Sequence, residues 1–438
     1  MKVGDFGNYI PVIDESKCTS CRLCVRACPG HGFDYYKEYE EVHGEVSDNI
    51  ALGKSIEGFA GYTSDAEILE ASQSGGFVST ILIYCLEKDI IDGAAVTRWC
   101  ESSPFVPETY IARKREDIIK AVGSKYNPVP AAQIVGDLLN QEGKFAFVGT
   151  SCQIQAMRKV EKIYPELTDK IALYIGLHCL GVFTFHFHER VLSQLRLDRE
   201  KVATFRHRDK SWKGWPCDMR IKDKDGSIFD IDAKNSRLWP RPFYTNWRCQ
   251  LCFDKANEFS DISCGDCRMP EMIQKYKDDG YKVERGLSEL VIRTDRGKDI
   301  FSDLLTDQRF NVMPADLDLL ARSIGVSGKK LGISIFIKIA SIFRLGVPEY
   351  GVQFTKKEIE ELKKWKFLKP WNFVSSSRYL LTFRLNRCKA LRVIGNRIPS
   401  FFLKILDTLF SYGVEWMSFS NDSVLLRKKD IKDKGGRK

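Results

Sequence analysis

Cys18, Cys21, Cys24 and Cys28 follow one another at the spacing C-x2-C-x2-C-x3-C, with Pro29 directly after the last. Thiolates this close can wrap an iron–sulfur cubane; in such runs the first three hold one 4Fe-4S cluster and the fourth reaches a different one. Zinc is the competing reading, but structural zinc usually takes two separated ligand pairs rather than a single tight run. The run is not repeated nearby, since residues 31–70 contain no cysteine. Its remote partners must come from Cys152, Cys179, Cys249, Cys252, Cys264 and Cys267. The last four form two C-x2-C pairs separated by eleven residues. That is metal-ligand spacing, and thiolate softness suits zinc and iron alike, so a zinc ribbon competes here too. The unpaired Cys28 weighs toward iron, because it calls for a second cluster. Ten candidate thiols exceed the eight that two cubanes require, so two are spare. Cys85, Cys100, Cys217 and Cys388 stand alone and read as small apolar residues or incidental thiols.

Other residues could hold an anion. Ser74-Gly75-Gly76 precedes FVSTILIYCLEK, an apolar run of helical length. Glycines admit a close backbone approach and free N–H groups at a helix start favour phosphate, although Ser-Gly pairs cap helices generally. The segment from Phe205 to Lys210 mixes cations with aromatics. Arg206 and Lys210 could bind phosphate or carboxylate there, against the alternative of a solvated hairpin face. Cys152 could instead be a nucleophile, since a helix start lowers a thiol pKa. His178 beside Cys179 makes no dyad, because neighbours on a strand face opposite ways.

These residues need elements to position them. Residues 90–99 read as a strand and residues 116–143 as helix, loop and helix. Phe145–Gly149 reads as a short buried strand running into Cys152 and a helix through Lys162, and residues 171–179 as a strand ending at Cys179. Both cysteines thus fall at C-terminal strand ends, the edge where open α/β sheets bind ligands. Strands resume at Asp218–Ile221 and Ile228–Ile231 across a KDKDGS turn. Alternating strands and helices predict an α/β class. The expected order is a ferredoxin-like iron–sulfur segment over residues 1–45, a mixed α/β body over 46–320, and a basic, mostly helical extension over 321–438.

A chain of 438 residues with 43% hydrophobic and 12% aromatic content can build a sizeable core, which excludes a disordered or fibrous class. No run of 18 apolar residues occurs, and the first residues lack a signal-peptide core. The expected location is therefore the cytoplasm, where 14 cysteines stay reduced and bind metal more readily than they pair. The formal net charge of +10 is uneven: residues 1–320 carry 43 Lys and Arg against 49 Asp and Glu, residues 321–438 carry 25 against 9. Within that basic extension, residues 331–343 and 398–410 are apolar but too short to span a bilayer. Phe401, Phe402, Ile405, Leu406, Leu409 and Phe410 form one helical face near Arg387, Lys389, Arg392, Arg397 and Lys404. That pattern suits an anionic membrane surface at the periphery, against plain packing on the body or a partner. Nucleic acid is disfavoured, since the aromatic–basic repeats of single-strand binders are missing.

Six blocks in order, SQSGGFVSTIL, GSKYNPV, FVGTSCQIQAMRK, GLHCLG, FRHRDKSWKGW and RCQLCFDKANEFSDISCGD, carry a resemblance over roughly residues 15–310. The chain resembles the beta subunits of coenzyme F420-reducing hydrogenases and dehydrogenases, which have relatives in formate dehydrogenases and hydroxymethyl-chlorophyll reductase. The resemblance implies an oxidoreductase that holds a flavin, FAD or else FMN, and exchanges hydride with coenzyme F420. Two 4Fe-4S clusters would then pass single electrons to a partner protein or ferredoxin. It also implies flavin contacts at Ser74, Gly75, Gly76, Ser124, Lys125 and Tyr126. Cys152, Cys179, Cys249 and Cys252 become ligands near the flavin, making eight with the first four. The chain departs from the family at Cys264 and Cys267, where other residues are more usual, and beyond about residue 320 it matches nothing there. Hydride transfer requires no protein acid or base, so no catalytic residue is nominated. Two other functions stay open: a ferredoxin-fed reductase of an organic substrate, and a zinc-stabilised binding protein with a basic tail.

Overall fold

Successive strand residues face opposite ways, and in Phe145–Thr150 this sends Phe145 and Phe147 into one hydrophobic layer and Ala146 into another. In the neighbouring strand Leu173 and Ile175 join the Ala146 side, and Tyr174 the Phe147 side. A strand covered on both faces must be apolar throughout, which explains the unbroken hydrophobic runs. This is a computed structural model that describes residues 1–326 except 48, 50 and 239, together with Lys330 and Ile333. The two strands lie within an eight-stranded sheet of order Phe310–Pro314, Glu57–Thr63, Ser288–Ile292, Ile262–Asp266, Ile171–Leu177, Phe145–Thr150, Gly93–Cys100, Ser103–Ala112. The four strands from Ile262–Asp266 to Gly93–Cys100 are parallel, and antiparallel strands flank them on both sides.

Helices cover both faces. Phe77–Glu87, Arg115–Ala121 and Asp295–Thr306 pack on the Ala146 side through Ile81, Ile118, Phe301 and Leu304. Tyr35–His43, Val135–Asn140 and Ser151–Glu161 pack on the Phe147 side through Tyr39, Leu138, Ile154 and Met157. Pro270–Asp278 and Leu317–Ile324 extend that second layer over Ala60 and Val291. The fold is therefore mixed α/β, as the alternating pattern predicts.

A separate antiparallel sheet of Val202–Asp209, Asp218–Asp223 and Ile228–Ile231 encloses a smaller core with the helix His186–Leu195. The N-terminal segment carries a two-stranded ladder, Lys2–Val3 with Tyr9–Ile10, and the short helix Leu23–Ala27 within the cysteine run. Phe33, Tyr35 and Tyr39 then anchor that segment in the body. Among the described residues no helix is long and apolar enough to cross a membrane. The basic extension, and with it the membrane-surface reading of residues 398–410, lies outside the described residues apart from its first turns, Lys330 and Ile333.

Candidate iron–sulfur and cofactor site

The parallel strands end on a common edge, and the reactive groups gather there. Phe145–Thr150 passes straight into the helix Ser151–Glu161, which opens with a reciprocal cap: Thr150 N donates to Gln153 Oε1 at 2.8 Å. Cys152 is exposed in the first turn of this helix; desolvation by the surrounding protein pushes its thiol above the ordinary value, and the Thr150 hydroxyl partly offsets that. Ile171–Leu177 ends two residues before the half-buried Cys179. Gly181 brings Cys249 alongside: at φ +108 it has no Cβ, and one would lie 2.9 Å from Cys249 Cβ. Gly181 N donates to Cys179 Sγ at 3.3 Å and Val182 N to Cys249 Sγ at 3.4 Å. Such N–H donors lower the energy of a ligating thiolate and help set a cluster's potential. The loop bearing Cys249 and Cys252 is stitched to the strand ends. Cys179 N donates to Lys255 O at 3.0 Å, and the buried Asn257 amide donates to Gly149 O at 2.9 Å and Leu177 O at 3.3 Å.

The N-terminal cysteine run docks on the same edge. Lys159, from the helix Ser151–Glu161 that carries Cys152, donates to Gly32 O at 2.6 Å and Cys28 O at 3.4 Å. Gly30 lies against the guanidinium of Arg248, the residue before Cys249: a Cβ there would fall 1.3 Å from Nη1, so the guanidinium would have to move. Cys18, Cys21, Cys24 and Cys28 are exposed free thiols. The Leu23 amide and the Thr19 hydroxyl hold the Cys21 thiol below its ordinary value, toward the thiolate that binds metal.

Cys264 and Cys267 are placed differently. Cys264 is 4% exposed on the strand Ile262–Asp266 and packs with Leu173 and Leu290. Cys267 is 0% exposed among Ala256, Met269 and Leu287 on the opposite side of the sheet. Burial pushes both thiols far above their ordinary range. The structure therefore brings eight of the ten candidate cysteines to the surface of one region and turns these two into separate core layers. Among the described residues, no group of three or more His, Cys, Asp or Glu side chains is drawn tightly enough to hold a single metal ion. The all-sulfur donor set at the sheet edge fits the chemistry of cubanes.

A buried cationic cluster adjoins this edge past Asp266. Arg208 pairs with Asp266, Nη1 to Oδ2 at 2.8 Å and Nη2 to Oδ1 at 3.1 Å, with both side chains largely buried. Burial works to raise the Asp266 carboxyl, but Arg208 and Arg268 outweigh it and hold it below its ordinary range. The Tyr126 phenol is likewise raised by burial and brought down further by Arg208 and Arg237. Arg208 Nε is a buried donor with no partner among the described residues. Gln73 knits the cluster together: its Nε2 donates to Arg208 O at 2.7 Å, its Oε1 accepts from Ser124 N at 2.8 Å, and its backbone O accepts from Arg208 Nη2 at 3.3 Å.

Several expected contacts take other roles. Arg206 is mostly exposed and pairs with Asp209 at 3.2 Å. An irregularity in the strand pairing between Arg206 and Asp209 re-aims the intervening side chains, so Arg208 turns inward instead. Lys210 donates to Leu69 O and Arg285 O, and Lys125 to Ala121 O and Val122 O, so both ammoniums fasten loops. Burial lowers them to about 8 and about 7. Gly76, at φ +81, opens the expected helix Phe77–Glu87. Its neighbour Gly75 is needed for close packing, since a Cβ would lie 2.4 Å from Gly61 O, and its N–H is taken by Ser288 Oγ at 2.8 Å. That amide is not free for phosphate. The Ser74 hydroxyl is also engaged, donating to Leu287 O at 2.7 Å. Gln73 and Asp266 escaped the sequence reading, although both lie inside the quoted blocks.

Cysteine thiols on a parallel-strand edge, beside a buried guanidinium with an unmatched donor, fit an α/β iron–sulfur protein of the oxidoreductase class. Residues 58–135 match the N-terminal region, and residues 142–317 the C-terminal region, of the coenzyme F420 hydrogenase/dehydrogenase beta subunit. Residues 11–31 match a 4Fe-4S binding domain. The chain belongs to the coenzyme F420 hydrogenase/dehydrogenase beta subunit family and is an oxidoreductase. It is 26% identical over 282 residues to the coenzyme F420 hydrogenase subunit beta of Methanosarcina barkeri, covering 62% of this chain and 88% of that protein. It is 25% identical over 318 residues to the chloroplastic 7-hydroxymethyl chlorophyll a reductase of Oryza sativa, covering 68% and 62%. Among solved structures it resembles a chain of the F420-reducing NiFe hydrogenase complex from Methanosarcina barkeri, with a TM-score of 0.54 and 25% identity over 69% of this chain and 98% of that one.

Proposed function

We propose that this chain exchanges hydride with coenzyme F420 at a bound flavin, FAD by preference, and passes single electrons through two 4Fe-4S clusters to a partner protein. The observation that carries this reading is the approach to one sheet edge of exposed and half-buried thiols from four separate segments, beside the buried Arg208–Asp266 pair. Cys18, Cys21, Cys24, Cys28, Cys152, Cys179, Cys249 and Cys252 are the ligands in this reading. Cys264 and Cys267 are the spare pair, because their burial leaves no route for a cluster to reach them. A flavin, when bound, connects two-electron hydride chemistry to one-electron carriers.

The chain's own residues orient and shield. Arg208, held by Asp266 and Gln73, keeps Nε for a phosphate oxygen; Ser124, through Gln73, and Tyr126 adjoin the same cluster. The Gly181 and Val182 amides stabilise the Cys179 and Cys249 thiolates. The likeness to one chain of a hydrogenase complex supports a protein partner as electron acceptor or donor. A reducing compartment such as the cytoplasm keeps these thiols available.

The test is an anaerobic absorbance titration of the purified protein with reduced coenzyme F420. Bleaching of flavin and cluster bands together is expected. A protein that contains flavin and iron but does not bleach overturns the F420 step. It would favour a ferredoxin-fed reductase of an organic substrate, a second reading supported by the similarity to the chlorophyll reductase. Zinc without flavin would return the chain to the class of zinc-stabilised binding proteins.

A further inference from the structure

Behind the loop that carries Cys249 and Cys252 lies a buried acid pair. Asp254 is 0% exposed and Glu258 1%. Both Asp254 carboxylate oxygens accept from Glu258 N at 3.1 Å, and the Cys252 thiol donates to Asp254 O at 3.3 Å. The position of Glu258 is thereby coupled to the turn that presents Cys252.

Two other chain segments close on Glu258. From the helix that follows the N-terminal cysteine run, the Tyr35 hydroxyl donates to Oε2, and His43 Nε2 meets Glu258 O at 2.7 Å. From beyond residue 317, where the family match ends, Lys330 brings Nζ to 2.6 Å from Oε1. That contact is an ion pair off the line of a hydrogen bond. Lys330 is 2% exposed, and its ammonium lies 5.5 Å from the Tyr35 ring centre and 5.7 Å from that of Phe253. Ile333 packs into the same layer as Tyr35 and Phe253. The nearby Arg293 guanidinium is committed to Leu52 O, Lys54 O, Ala256 O and Ser263 Oγ. Among the described residues, Lys330 is thus the cation paired with Glu258.

We propose that Lys330 is a positioning residue for the clusters. By neutralising Glu258 it holds the Cys249–Cys252 loop against the helix behind the N-terminal cysteine run. A buried carboxylate that loses its cation must take up a proton or move toward water. Either change strains the Asp254–Glu258 turn and the sulfurs it carries. Lys330, from the C-terminal extension, therefore belongs to the electron-transfer core. This inference rests on the reading of Cys249 and Cys252 as cluster ligands.

The test compares full-length Lys330→Met, Lys330→Arg and the double variant Lys330→Met/Glu258→Gln with the wild type, all purified anaerobically. Iron and acid-labile sulfide per chain and the low-temperature EPR spectrum of the reduced protein are measured. Lys330→Met is expected to keep about half the wild-type iron, with the signal of one cubane lost. Lys330→Arg, which keeps the charge, and the double variant, which removes both charges, are expected to keep wild-type iron and spectrum. A Lys330→Met protein with unchanged iron and EPR overturns the proposal. So does a double variant as depleted as the single one, because then charge pairing is not what matters. An iron-free wild type would overturn the cluster reading itself, and this inference with it.

Discussion

A cysteine can ligate a cluster only if its sulfur reaches the place where the cluster forms. Cys152 is exposed at a helix start, whereas Cys264, at 4% exposure, points into a layer of leucines and isoleucines. Cys152→Ala is therefore expected to lose about one cubane of the two, read as iron per chain. Cys264→Ala should retain all the iron and cost roughly 1–2 kcal/mol of stability from the cavity it leaves. Iron loss from a folded Cys264→Ala protein would return that residue to the ligand set. The same distinction separates Arg206 from Arg208: both are cations on one strand, yet only Arg208 is buried against Asp266 with a donor left over.

At the scale of elements, the loop from Cys249 to Asp261 has little regular structure and depends on borrowed hydrogen bonds. Asn257 is central to it. It is fully buried, sits at φ +61, and its amide joins Gly149 O to Leu177 O, the ends of two parallel strands. Asn257→Ala loses those bonds and also places an alanine in a left-handed backbone, so it should cost about 2–4 kcal/mol. Asn257→Gly loses the bonds but tolerates the backbone and should cost less. Chemical denaturation of the two variants reads the difference; equal costs would mean that backbone strain contributes nothing here. Gly30 marks a further contact between the cysteine run and this loop, since the Arg248 guanidinium lies against it.

Across the whole molecule, buried histidines set the response to acid. Burial lowers His43 to about 4 and His188 to about 3, and, with help from His188 and Arg237, it holds His207 well below its usual value. Because each folded-state value lies below that of the unfolded chain, the unfolded chain takes up these protons first as pH falls below about 6.5. Stability is thus complete above about pH 7 and declines on acidification, by about 2 kcal/mol per histidine at pH 5. Asp254, pushed up to about 7 by burial and then by Glu258, acts in the opposite sense over the same window and offsets about one histidine. The expected outcome is a net fall in unfolding free energy between pH 7 and pH 5. A flat profile would show that these imidazoles gain protons in the folded state as well.

Spacing along the chain was enough to find the iron–sulfur run and the strand ends at Cys152 and Cys179, because a ligand run and a period-two apolar pattern are local properties. The mixed α/β class was legible for the same reason. The same local rule made Cys249/Cys252 and Cys264/Cys267 look equivalent, since both pairs are C-x2-C. Only the tertiary structure separates them: the first pair lies in a loop over the sheet edge, while the second straddles the end of a strand whose two faces are core. It likewise turned Arg208 inward rather than Arg206, gave Gly75 to packing rather than to an anion, and brought Lys330 from beyond residue 317 onto Glu258. Each of these depends on which distant surface covers a side chain, and burial is a property of the assembled layers that spacing along the chain does not encode.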